Sequence, residues 1–402
     1  MSKITINIKN VYNQDDLFSK IAELKIGSSE TFKLLPAAPS KIKSNTIRSI
    51  NDKLIVENYI TLTLAELRSM DSDSEKQENF IKNKVKVLAN YPFIILKLLV
   101  KKDDIIKTND VEYLVDLLKS PLNTFIVTPL IYYYWESKKG TNVVGKPIPL
   151  DTYLLIIDTF LKRMKDGYNI DECAIAVPSN ASRSSIGMLL QKYKDIKTQI
   201  AVIDLNGKTA INIYPLINAL TVVATLNKKD YTLPEKNGED YILYAFDSVP
   251  YNFSSRGEMP AKDILQYAMG FSSFGPRHTI KFSVEQQLVD SGKRETYKPK
   301  DNPKLYEPNS YTYFNDKSTK YDSEIKKLEG WKITTFGKGY YKRSSYAKDY
   351  NFIKLTDSAN EIFSGVKEST LNNVLNEKKN ILNYLRIIKS YNKGAFGTLN
   401  KI

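Results

Sequence analysis

One cysteine and one histidine in 402 residues exclude several common chemistries. Cys173 alone rules out an internal disulfide and any zinc site built from several cysteines. His278 alone removes most serine–histidine and zinc–histidine catalysis, so no metal or cofactor is expected. Chemistry must then rest on carboxylates, hydroxyls, lysine or arginine, with His278 the one side chain that titrates near neutrality unaided. Long hydrophobic runs are also missing. The run 91–100 is interrupted by Lys97 and the run 125–135 by Pro129, and both fall short of the roughly 20 apolar residues that span a bilayer. The opening MSKITINIKN lacks the regions of a secretory signal, so a cytoplasmic protein without a membrane partner is expected. There is no GxxxxGK[ST], no GxGxxG opening a helix, no HExxH and no CxxC, which argues against the common phosphate-cradling hydrolases and metalloenzymes.

Positive charge is in excess. The formal net charge is +14, and residues 277–402 hold 24 lysines and arginines against 14 acidic residues, a net of +10. A polyanion met by the C-terminal part fits this distribution, because basic residues displace condensed counterions; lysine used for solubility is the plainer reading. With 42% hydrophobic and 26% charged residues the composition is that of a globular chain rather than a disordered one.

Ile4, Ile6 and Ile8 alternate with polar residues as a half-buried strand does, whereas Leu17–Leu24 has helical spacing behind an Asn-Gln-Asp-Asp cap signal. Phe32–Leu35 reads as a first core strand ahead of the proline-marked loop PAAPSK. Leu54–Leu67 fits strand or helix, and 91–100 reads as a buried helix. From Thr124 short apolar strands alternate with helices: strands at Thr124–Ile131, Cys173–Val177, Gln199–Asp204, Tyr241–Phe246 and Phe271–Phe274, and helices that include Leu150–Met164 closed by Gly167, Tyr214–Leu226 and Ala261–Met269. This alternation signals parallel β-α units. The expected fold is α/β and TIM-barrel-like over 1–280, with about the first 30 residues peripheral; a doubly wound parallel sheet is the alternative. Residues 281–402 read as a basic, tyrosine- and lysine-rich extension ending in a helix and a loose Gly-Ala-Phe-Gly tail.

Two aspartates stand at expected strand ends, Asp204 in AVIDLNG and Asp247 in YAFDSVPY. A carboxylate there can act as nucleophile or general base, and helix capping or turn formation is the competing reading. Ser179 and Asn180 follow another strand, where they can donate to a ligand or cap the next helix. Arg277 and His278 follow the rigid Gly275-Pro276 turn, and arginine suits bidentate phosphate or base recognition. Arg256 joins them as a candidate nucleic-acid contact. Between 297 and 352, Tyr297, Tyr306, Tyr311, Tyr313, Tyr340, Tyr341 and Tyr346 are set among basic residues, as in GKGYYKRSSY with Lys342 and Arg343. Aromatic faces stack bases while cations follow phosphates, so the mixture suits single-stranded or distorted nucleic acid.

Three stretches together resemble the tRNA-guanine transglycosylase superfamily, whose members insert 7-deazaguanine bases into tRNA or, in one branch, DNA. They are YILYAFDS…AKDILQYAMGFSSFGPR, the tripeptide Phe246-Asp247-Ser248, and the terminal helix Asn380–Tyr391. The resemblance implies a barrel enzyme in which Asp247 attacks the sugar carbon and Asp204 transfers a proton. It also implies that Arg277 and His278 touch base or phosphate and that 297–352 holds the strand. Aligned by element order instead, Gly275 falls where the family has its aspartate. The family's zinc site of three cysteines and a histidine cannot form. The rival reading is a non-catalytic nucleic-acid-binding subunit of a plasmid, viral or defence complex on a degenerate barrel; a metabolite-acting barrel is a third. A homo-oligomer or a partner subunit stays open in each.

Overall fold

The structure is a computed structural model and describes residues 4–26, 30–39, 46, 50, 54–85, 92–119, 125–136, 142–168, 174–178, 200–213, 242–248, 254–276, 302–338 and 342–399. It is a mixed α/β fold with parallel sheets. The chain opens with an antiparallel sheet of β1 (Ile4–Gln14), β2 (Leu17–Ile26) and β3 (Glu30–Lys33). Leu17–Leu24, expected to be helical, is strand. The acidic pair read as a helix cap is instead the hairpin turn, with Asp15 and Asp16 both at positive φ (54° and 57°), the conformation a tight two-residue hairpin demands.

The first parallel sheet runs β4 (Ala38–Pro39), β5 (Val56–Thr63), β6 (Pro92–Val100) and β8 (Leu130–Glu136), with β9 (Asn142–Pro147) antiparallel at its edge and the short β7 (Phe125–Ile126) beside β6. The proline-marked loop thus supplies a strand of its own. Residues 92–100 are strand, not helix, because both faces are buried. Ile94, Leu96, Leu98 and Val100 pack outward while Ile95 and Leu99 pack inward, so the run shows no period-2 signature. Helix α1 (Leu64–Asp71) starts at a capping box in which Thr63 and Glu66 satisfy each other's backbone. It is followed by α2 (Ser74–Phe80), α3 (Thr108–Lys119) and α4 (Leu150–Tyr168). Two bidentate ion pairs lock these helices on the outer face, Arg68–Asp110 and Arg163–Asp116. Gly167 lies within α4 rather than closing it.

The second parallel sheet is β10 (Ile175–Val177), β11 (Ile200–Lys208), β12 (Ile242–Ser248) and β14 (Phe271–Phe274), in that spatial order. Between β12 and β14 the chain forms β13 (Glu258–Pro260) and a 3-10 turn, Ile264–Ala268, where a longer helix was expected. Backbone hydrogen bonds join the two sheets at both ends. Thr128 N–H donates to Ala174 O (2.9 Å) and Ala174 N–H to Ile126 O (3.0 Å), and Ala37 N–H donates to Phe274 O (2.9 Å). An inner cluster spans both sheets: Ala37, Ile55, Ile95, Leu99, Val127, Ala174, Ala176, Ile200, Val202, Ile242, Tyr244 and Phe246. Ala22, Leu24 and Phe32 of the first hairpin belong to it as well, so that hairpin packs into the core.

Residues after 301 are folded onto this body. β15 (Leu305–Glu307) and β16 (Thr312–Phe314) pair with β13, so one small sheet crosses the expected boundary at 280. Helices α5 (Tyr321–Phe336), α6 (Arg343–Lys367), α7 (Leu371–Asn376) and α8 (Leu382–Leu399) complete the eight α-helices of the described residues. The expected loose tail is the last turns of α8. Its Asn392 amide donates to Asp16 O and Ala268 O, tying the terminal helix to the first hairpin. No helix among the described residues is long and apolar enough to cross a membrane.

Candidate functional site

β-Strand side chains alternate, so each parallel strand turns every second residue toward the inner cluster. Along β5, β6, β8, β11 and β12 most of these residues are apolar, but Glu57, Tyr59, Lys97, Tyr132, Tyr134, Asp204 and Tyr244 are not, and Tyr59, Lys97, Tyr132 and Asp204 meet. Lys97 Nζ lies 2.8 Å from Asp204 Oδ2, with the two side chains 5% and 0% exposed. Tyr132 donates its hydroxyl to the same oxygen (2.9 Å). The other carboxylate oxygen accepts the Asn206 backbone N–H (2.8 Å). That contact is an Asx turn, followed by two left-handed residues, Asn206 (φ 47°) and Gly207 (φ 69°), where the β11–β12 register slips. The rings of Tyr132 and Phe246 have their centroids 5.3 Å from Lys97 Nζ, and that of Tyr59 lies at 5.9 Å. Faces of aromatic rings attract a cation, so the ammonium is held by one carboxylate and three rings.

Burial alone would lower the Lys97 pKa, but Asp204, Tyr59 and Asp247 together outweigh it and raise it above the ordinary lysine value. Lys97 is therefore an ammonium at neutral pH. The same charges act on Tyr59, whose phenol is raised by burial and partly offset by Lys97.

Asp247 is the sixth of seven residues in β12, fully buried, and lies within electrostatic range of Lys97 and Tyr59. Its φ is 53°, a left-handed conformation that costs a non-glycine residue about 1–2 kcal/mol. A further buried carboxylate, Glu57 on β5, accepts the Tyr244 hydroxyl; burial and Glu57 push that phenol well above its ordinary value. A side chain at Gly275 would collide with both Glu57 and Tyr244. Both are the far ends of side chains, so any residue larger than glycine at 275 would require them to shift.

The structure thus brings Asp204 and Asp247 together on adjacent strands. Ser179, Asn180, Arg277, His278, Tyr340 and Tyr341 lie outside the described residues, as do Cys173, Tyr297 and the expected helix Tyr214–Leu226. Arg256 is exposed in the turn before β13. Lys342 is exposed at the start of α6, and Arg343 pairs with Glu329 of α5 (2.7 Å). The tyrosine-rich stretch is corrected more sharply. Tyr306, Tyr311, Tyr313 and Tyr346 are buried; they form core, and no base can stack on them. Their density reflects large amphipathic rings that fill a core while their hydroxyls find partners.

Lys97, Tyr132, Tyr59 and Glu57 were not singled out from sequence. For Lys97 the signal was visible: one lysine in a strand buried on both faces must be paired, since an isolated buried charge is prohibitively costly. No group of three or more His, Cys, Asp or Glu positioned for a metal occurs among the described residues. No protein-family model matches the chain, and no curated protein matches it.

Proposed function

We propose that the chain is a barrel enzyme whose reaction centre is the Lys97–Asp204–Asp247 cluster, and that it transfers a glycosyl group by exchanging a base in tRNA or DNA. Closure of the barrel is supported by the hydrogen bonds joining the two parallel sheets at both ends, giving eight strands in the order 37–39, β5, β6, β7–β8, β10, β11, β12, β14. In such barrels the C-terminal strand ends carry the chemistry. The observation that carries the reading is Asp247, a buried carboxylate at such an end with a left-handed backbone. Strain of that kind is retained where the surroundings enforce it, commonly at functional sites.

In this mechanism an Asp247 oxygen attacks the sugar C1′ as the C1′–N bond breaks. The electron pair leaves on the base, which takes up a proton, and a glycosyl ester remains on Asp247. A nitrogen of the incoming base then attacks C1′, displaces the carboxylate and loses its proton. Asp204, with both oxygens occupied by Lys97, Tyr132 and Asn206, is better suited to orienting Lys97 than to transferring a proton. Lys97 faces the charge that develops on the departing base. Because Asp204 and Asp247 are fully covered, substrate entry requires that cover to move.

The test is incorporation of labelled guanine or a 7-deazaguanine into tRNA and DNA. Wild type is expected to incorporate label, and Asp247→Asn to lose on the order of 10⁴-fold in turnover while keeping its fold. Equal incorporation by both would remove Asp247 from the role. Incorporation by neither, with nucleic-acid binding retained, would favour the non-catalytic binding subunit.

A further inference from the structure

We propose that Trp135 is a stacking platform for an unpaired base of bound single-stranded nucleic acid, at the rim of the strand ends that carry the site. The inference rests on the nucleic-acid partner of the proposed function, but not on its reaction. Among the described residues Trp135 is the one aromatic side chain that is mostly exposed, at 55%. Single exposed apolar residues are common and need no explanation. This one is distinguished by its seat and its place.

The seat is Gly145 of β9. A Cβ there would come within 2.7 Å of the indole Cζ3 and 3.2 Å of Tyr133 O. Gly145 is not among the positive-φ glycines, so space for the ring, and not backbone conformation, accounts for it. Trp135 is in register with Val143 and Tyr133 with Val100, so β8, which carries the ring, is paired along both edges, while β9 beneath the ring is the edge strand. One side of the indole is thus backed by a strand while more than half of the residue meets solvent. A ring already fixed in place stacks on a base with little further loss of freedom, and stacking is tolerant of sequence because every base has a π-face.

The place follows from the strand. Tyr132, which donates to Asp204, is three residues earlier, about 10 Å along a strand rising ~3.3 Å per residue. Tyr132 and Tyr134 belong to the inner cluster, and Trp135 points to the opposite face at the strand's outer end. At the same strand ends, but on the inner side with Tyr134, the exposed Lys101 places its Nζ 6.0 Å from the Tyr134 ring centroid, across the rim from the indole, where it can meet a phosphate of a strand that crosses the rim.

The chain has two tryptophans, and Trp331 is packed against Phe336 and Tyr350, each with ring centroids 5.5 Å away. Indole emission therefore isolates Trp135 in a Trp331→Phe variant, or as the difference between wild type and Trp135→Phe. The probe is a deoxythymidine oligonucleotide of about 12 residues, with binding followed separately by anisotropy of a labelled copy. Emission of Trp135 is expected to be quenched over the concentration range in which the oligonucleotide binds, and to be unchanged by polyphosphate, which has charge but no rings. Trp135→Ala is expected to weaken binding on the order of tenfold. Gly145→Val, which keeps the indole but removes its seat, is expected to weaken it as well. Binding without quenching, or equal quenching by polyphosphate, overturns the platform and leaves the proposed function standing. No binding of the oligonucleotide overturns the platform and leaves the reaction to the incorporation test. Quenching without base exchange upholds the platform and removes the reaction.

Discussion

Two of the buried polar networks among the described residues differ in what they hold, and the difference argues for where function lies. In the C-terminal region three buried tyrosine hydroxyls fasten elements that share no backbone ladder. Tyr313 of β16 donates to Asp263 at the start of the 3-10 turn (2.6 Å), and Tyr306 of β15 bonds Ser358 of α6 (2.8 Å). Tyr311 donates to Glu361 of α6 (2.9 Å), which also accepts from Lys378 (2.6 Å). Removing any of these loosens a helix from a sheet, so structure explains them. The Lys97–Asp204–Tyr132 cluster joins β6 and β8 of one parallel sheet to β11 of the other, and those sheets are already joined at both ends by backbone hydrogen bonds. An apolar pair of similar volume would fill the space at equal or better stability. A buried ion pair between two parallel sheets that backbone hydrogen bonds already join is better explained by chemistry.

The largest expected effect breaks that pair. Lys97→Met strands the Asp204 carboxylate in an apolar interior and is expected to cost about 3–5 kcal/mol in urea unfolding. The double variant Lys97→Met/Asp204→Leu is expected to recover most of that loss while remaining inactive. If it stayed as unstable as the single variant, the pair would be a structural fastener and the contrast between the networks would fail.

How far the sequence discloses these regions depends on periodicity. The parallel units at 200–204, 242–246 and 271–274 are readable because short apolar runs are bounded by turn residues. β6 is misread because it is buried on both faces and has no alternation to separate strand from helix. β2 is misread because Asp15-Asp16 suits a helix cap and a tight turn equally, and only pairing with β1 decides. Asp204 and Asp247 stand out in the sequence as carboxylates at expected strand ends; Asp247 is next to the end of β12, while β11 runs on to Lys208 and leaves Asp204 in mid-strand. Their partner Lys97 comes from a strand that is neighbour to neither, a long-range meeting that local pattern cannot encode. The C-terminal tyrosines mislead for a related reason, since a tyrosine among lysines reads the same whether its ring meets a base or a core.

The second effect sharpens the comparison through pH. Burial raises the Asp263 carboxyl above its ordinary value of 3.8, with Tyr313 and Lys304 opposing. A carboxyl raised on folding binds its proton more tightly in the native state, so its contribution to stability is greatest at low pH. That contribution falls as pH rises from the ordinary carboxylate value through the raised one. The slope from this single group is at most about 1.4 kcal/mol per pH unit. Asp263→Asn is expected to flatten it by that amount in denaturant unfolding measured across the acid range, with base-exchange turnover at neutral pH preserved. An unchanged slope would remove Asp263 as the titrating group.

The smallest effects decide most directly between the two networks. Tyr132→Phe and Tyr306→Phe each delete one buried hydroxyl and leave the ring, and each is expected to cost about 1 kcal/mol in unfolding. Asp204 keeps Lys97 and the Asn206 N–H after the first substitution, and Ser358 alone loses its partner after the second. Their stability costs should therefore be alike. Their catalytic costs should not: Tyr132→Phe removes a donor that holds Asp204, and through it Lys97, and should lower turnover by more than about tenfold. Tyr306→Phe should leave turnover within about twofold of wild type, since nothing it touches reaches the site. Equal losses of turnover would mean that activity follows stability alone, and the interior pair would then be a fastener like the others.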